Sequence, residues 1–134
     1  METSRLAGIP LFADLEDADL ELIAASAREV DVEAGQALAT EGEFGHALFA
    51  IESGTAEVSA DGETRATVGP GDVFGEIAVM ASGRRTASVV ATSPMRLVAF
   101  FKRDVWALEQ HCPEVAERLR TLAAEHRQPR EDRV

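Results

Sequence analysis

From Arg28 to Phe101 the chain is cut by glycine into short pieces. Gly35, Gly42, Gly54, Gly62, Gly69 and Gly71 fall among alternating or β-branched runs at Glu29–Val32, Gln36–Thr40, Ala47–Glu52, Thr55–Ala60, Glu63–Val68, Thr86–Ala91 and Met95–Phe100. Short strands at such spacing, with turn signals between them, predict an antiparallel barrel or jelly roll of roughly eight strands. Asp61-Gly62 is a strong hairpin turn. The fold class is therefore mainly β, with helices flanking the barrel.

The flanks have a different texture. Leu20, Ile23, Ala24 and Ala27 recur at helical spacing, which predicts an amphipathic helix over 16–27 with Asp17 as its N-cap and Leu11, Phe12 and Leu15 seating it. Beyond Phe101 helical patterns return around Arg103–Gln110, with Trp106 expected to pack on the barrel, and again from Pro113, a favoured first helical position, to Arg127. Val115, Leu119, Leu122 and His126 share one face of this last helix. No barrel strand is evident to bury that face, so the helix is expected to act as a mobile lid. The organisation is one domain over 1–134: an N-terminal helical segment at 1–27, a barrel at 28–101, C-terminal helices at 102–127 and a polar tail at 128–134.

Charge and cysteine content exclude several functions. A net charge of −11 opposes nucleic-acid and anionic-membrane binding, both of which call for a basic face. A small anionic ligand is still compatible, because distant charges are screened beyond about 8 Å while an arginine acts at contact. Cys112 is the single cysteine, which excludes an internal disulfide and a thiolate metal centre and suits a reducing cytosol. His46, His111 and His126 are scattered and expected at the surface or at caps, and no metal is expected. No apolar run approaches a membrane span and the first residues lack the pattern of a signal peptide, so neither is expected and the expected location is cytoplasmic. No nucleophile elbow, Walker loop or paired acid motif appears, so the chain is not expected to be an enzyme.

One segment carries chemistry: the run over 74–89, from Phe74-Gly75-Glu76-Ile77-Ala78 through Arg84-Arg85-Thr86-Ala87-Ser88-Val89. Gly75 permits close backbone approach to a ligand, and the residues after it can open a short helix whose free N–H groups face an anion. Arg85 offers a permanent charge and a planar fork suited to phosphate oxygens. Alternation sends at most one of Arg84 and Arg85 inward. Glu76 would repel a phosphate, but it suits a sugar hydroxyl that needs an acceptor.

This run resembles the phosphate-binding cassette of cyclic nucleotide-binding domains: Phe-Gly-Glu, a small residue two beyond the Glu, then Arg-x-Ala-Ser/Thr-Val, with no insertion. Gly35, Gly42, Phe49, Ile51, Gly54 and Val58 match the family's early strands as well. Arg84 stands where proline is frequent, and Val79 where leucine is common. The resemblance implies that Glu76 accepts from the ribose 2′-hydroxyl and Arg85 pairs with the cyclic phosphate. It implies a ligand-binding set of Phe74, Gly75, Glu76, Ile77, Ala78, Arg85, Thr86 and Ala87, with Leu122 and His126 as lid residues. Thr86 beside the arginine fits cGMP or cAMP; cAMP, the family's commoner ligand, is preferred. The implied function is a cyclic-nucleotide sensor that signals through its C-terminal helix, needs no cofactor, and serves an effector protein or fused domain, with a homodimer expected through the last helix. Two alternatives stand beside it: a degenerate interaction module without ligand, and a truncated transcription regulator of the catabolite-activator type, for whose helix-turn-helix too little chain follows.

Overall fold

A computed structural model describes residues 1–76, 79 and 83–127. The helices are α1 (Thr3–Ala7), a 3-10 turn (Pro10–Phe12), α2 (Asp17–Ser26), α3 (Lys102–His111) and α4 (Pro113–Arg127). The strands are β1 (Arg28–Val32), β2 (Ala37–Ala39), β3 (Ala47–Ser53), β4 (Ala56–Ala60), β5 (Glu63–Val68), β6 (Val73–Phe74), β7 (Ser88–Ala91) and β8 (Met95–Phe101). They form two antiparallel sheets, ordered β1-β8-β3-β6 and β2-β7-β4-β5.

The two sheets read differently because they are buried differently. In β3, Leu48 and Ala50 face the helical layer while Ile51, with Phe49 packed beside it, faces the barrel interior; in β8, Val98 and Phe100 face the helices while Met95 and Leu97 point inward. A sheet covered on both faces takes near-continuous apolar strands, as these are. The second sheet has only one covered face, and β5 is largely exposed. At the β4–β5 hairpin Asp61 (φ 55°) and Gly62 (φ 79°) both take the left-handed backbone that a two-residue hairpin turn requires.

The helices named above lie against the first sheet. Phe12 and Phe100 meet there with ring centroids 5.4 Å apart, among Leu6, Ile23, Val115 and Leu119, each 0% exposed. The apolar face of α4 is therefore fixed in this core at Val115 and Leu119, with Ala116 and Ala123 buried beside them in sequence, contrary to the expectation that the whole helix is a mobile lid. Arg118 pins it further, its Nη1 donating to the carbonyls of Leu11 and Ala13 at 2.9 Å each. Other differences are local. Trp106 is 65% exposed rather than packed on the barrel, because Val105 and Leu108 supply the buried face of α3. Asp17 is the first helical residue of α2, not its cap: Glu16 holds the cap position without a side-chain hydrogen bond, and Asp17 and Asp19 sit in the first turn, where the helix dipole favours carboxylates.

Arg5 of α1 reaches the sheet, donating from Nε and Nη2 to Glu52 at 2.7 and 2.5 Å and pairing with Glu29 at 2.6 Å. Its hydrogen bonds hold the Glu52 carboxyl below the usual carboxylate value, against burial, which would raise it. A folded value below the unfolded one gives stability that is present at neutral pH and lost as pH falls through the folded value. Glu52→Gln is thus expected to lower the melting temperature at neutral pH, with the gap to wild type closing in acid; melts from about pH 7 to pH 3 check this. Parallel curves would mean that the pair adds no pH-dependent stability.

Candidate functional site

The site begins where β6 ends. Val73 faces the helical core and Phe74 the barrel core, where it stacks on Phe49 with centroids 5.1 Å apart. Gly75 follows with φ 88°; a Cβ there would come within 2.5 Å of Arg85 Nη1 and 2.9 Å of the Ala47 carbonyl oxygen, so glycine is demanded by conformation and by space alike. The turn delivers Glu76 into the interior, 1% exposed. Of the expected ligand-binding set, Ile77 and Ala78 lie outside the described residues, as does most of the expected short helix.

Residues 83–85 are held by the loop between β2 and β3. Gly45 N donates to the Gly83 carbonyl (2.8 Å), Arg85 N to Glu43 (2.7 Å) and Gly42 N to Arg85 (2.9 Å), with Phe44 and Arg84 forming an isolated bridge. This pairing sends the two arginines to opposite sides, as alternation predicts. Arg84 is exposed; it lies over the Phe44 ring at 4.2 Å, and its Nη1 donates to the Gly42 carbonyl at 2.8 Å. Arg85 turns inward and is half-buried, its guanidinium 5.8 Å from the centroid of Phe49. Thr86, exposed, and Ala87, partly buried, continue from it to β7, which begins at Ser88 rather than Thr86.

The electrostatics are unusual for an interior. Among the described residues Arg85 makes no ion pair, and its side chain's one hydrogen bond is a long one, Nη1 to the Gly75 carbonyl at 3.4 Å. Burial lowers its pKa from the ordinary arginine value, and the nearby Glu76 charge opposes that shift. Glu76 is the buried charged residue among those described. One carboxylate oxygen, Oε1, accepts from Nδ1 of His126 on α4; the other, Oε2, is buried with no hydrogen-bond partner among the described residues. Buried polar groups are normally satisfied, and an orphan acceptor beside a guanidinium with unspent donors is a receptor for something carrying both a donor and an anion.

Sequence reasoning placed Glu76 and Arg85 together but did not see what three other contributors touch. Phe49 was noted only for spacing, although its alternation with Ile51 marks it as inward-facing. The clamp at Gly42–Gly45 is made by backbone and leaves no side-chain signature. His126, grouped with surface and capping histidines and carried as a lid residue, has a ring 41% exposed yet bonds the buried carboxylate; Leu122 is partly buried one turn before it.

Two antiparallel sheets closed on each other, helices along one of them and a glycine-turned acid–base pair inside define a double-sheet jelly roll with an internal polar site. The family model of the cyclic nucleotide-binding domain matches residues 29–112, and the chain belongs to that family. It is 32% identical over 122 residues to the cyclic AMP receptor protein of Thermus thermophilus, covering 87% of this chain and 56% of that protein. It is 34% identical over 122 residues to a cyclic nucleotide-gated potassium channel of Rhizobium etli, covering 91% of this chain and 34% of the channel. The crystal structure of the Thermus thermophilus catabolite activator protein superposes with a TM-score of 0.78 at 32% identity, covering 87% of this chain and 57% of that one. The chain thus spans between about a third and just over half of these relatives. Among the described residues no helix is long and apolar enough to cross a membrane, and no cluster of three or more metal-binding side chains occurs.

Proposed function

We propose that the domain binds cAMP ahead of cGMP and reports binding through the last turns of α4. The observation that carries this is the pairing of a buried carboxylate bearing an orphan oxygen with a half-buried guanidinium that has no ion pair among the described residues. A cyclic nucleotide supplies a ribose hydroxyl for Glu76 and a cyclic phosphate for Arg85, with Phe49 forming an apolar wall beside the guanidinium. The name of the Thermus relative favours cAMP. Val115, Leu119 and Ala123 anchor α4, so the moving part is the segment beyond Ala123, which carries His126, with Leu122 at its base. The shift it undergoes is limited to the nucleotide's preference for one position over the other.

Calorimetric titration with cAMP and cGMP side by side tests the reading. Saturable one-site binding with cAMP the tighter ligand is the expected result, and binding of neither nucleotide would overturn it. That second outcome would favour a ligand-free interaction module, a reading consistent with Glu76 being held already by the chain's own histidine.

A further inference from the structure

Glu76 is 1% exposed, so neither of its oxygens is open to a solute in this structure. Among the described side chains, the one bonded to it is His126, fifty residues away on α4 and partly open to solvent. We propose that His126 is a specificity-determining residue: it acts as an internal stand-in for the ribose, holding Glu76 until a nucleotide hydroxyl takes its place, and so sets how strongly the site distinguishes ribose from deoxyribose. This rests on the cyclic-nucleotide reading above.

The chemistry is an exchange. Both Glu76 oxygens, Oε2 included, are shut off from solvent, so with His126 in place the 2′-hydroxyl reaches the carboxylate only as the imidazole moves and gives up its bond, and one charge-assisted hydrogen bond replaces another with little net gain. A 2′-deoxy nucleotide leaves that bond standing. Without His126 the hydroxyl meets a buried acceptor lacking its donor, and the full value of the bond is realised. The ring also has room to withdraw: it lines a cavity of about 280 Å³ together with Pro10, Leu11, Asp72, Val73 and Leu122. Release of Glu76 therefore does not require α4 to leave its core at Leu119.

The test measures cAMP and 2′-deoxy-cAMP affinities by calorimetry for wild type, His126→Ala and His126→Asn. Wild type is expected to favour cAMP over the deoxy analogue by no more than about threefold, and His126→Ala by about tenfold or more, with cAMP itself binding the variant more tightly. His126→Asn retains an N–H donor near the position of Nδ1 and is expected to keep the small wild-type ratio. Equal ratios in wild type and His126→Ala would overturn the proposal, as would weaker cAMP binding by His126→Ala; the latter is the outcome if the hydroxyl takes Oε2 while the ring stays on Oε1. Failure of the underlying reading looks different, since none of the three proteins would then bind either nucleotide. Nitrogen NMR of the imidazole in the unaltered protein needs no variant: the Nδ1 hydrogen-bond signature is expected to vanish with cAMP and persist with 2′-deoxy-cAMP, and its persistence with both would overturn the exchange.

Discussion

Arg85→Ala is expected to weaken cAMP binding by about 2–5 kcal/mol, because it strips a desolvated phosphate of its charged partner. The loss falls on binding and not on folding, since the side chain makes a single long hydrogen bond, to the Gly75 carbonyl, and no ion pair among the described residues. Titration calorimetry with a parallel thermal melt separates the two. Arg84→Ala is the control. Its guanidinium sits outside on Phe44 and Gly42, and its removal is expected to change affinity by less than about 1 kcal/mol. Equal cAMP affinity for wild type and Arg85→Ala would remove the phosphate role from Arg85.

The second large effect concerns α4. Deleting the chain from Glu117 removes Leu119, 0% exposed, from the core shared with Leu6, Phe12 and Phe100, removes the buried Ala123, and also removes Arg118, which ties the helix to Leu11 and Ala13. Loss of one buried leucine side chain alone costs about 2–5 kcal/mol, a large part of a domain's usual 5–15 kcal/mol. Urea unfolding is expected to show a strongly destabilised or unfolded protein. Deletion from Ala124 keeps the buried face, removes the His126 bond to Glu76, and is expected to destabilise the protein far less than deletion from Glu117. Comparable stability of the two truncations would mean that α4 contributes little to the core.

The sequence revealed what is local and concealed what is distant. Short runs set between turn residues marked seven of the eight described strands, because a turn is written in its own residues; β6 escaped because Val73 and Phe74 are too few to show a period. The five residues of α1 likewise hold too little repeat to be read as a helix. Helical spacing identified the apolar face of α4, but spacing does not say what covers a face, and the cover comes from the far end of the chain at Leu6, Leu11 and Phe12. The same limit applied to the site. Glu76 and Arg85 lie nine residues apart in one cassette and were legible, whereas the link from Glu76 to His126 spans fifty residues and follows from no local pattern.

The two residues of β6 have a mechanical consequence. Val73 is embedded in one core and Phe74 in the other, and both pair with β3. To slide this strand would pull an apolar side chain out of each layer at once, so β6 behaves as a clamped end. The first joint beyond the clamp is Gly75, whose left-handed backbone is the pivot on which Glu76 hangs. A displacement of Glu76 is therefore taken up at Gly75, and the barrel wall behind it keeps its place.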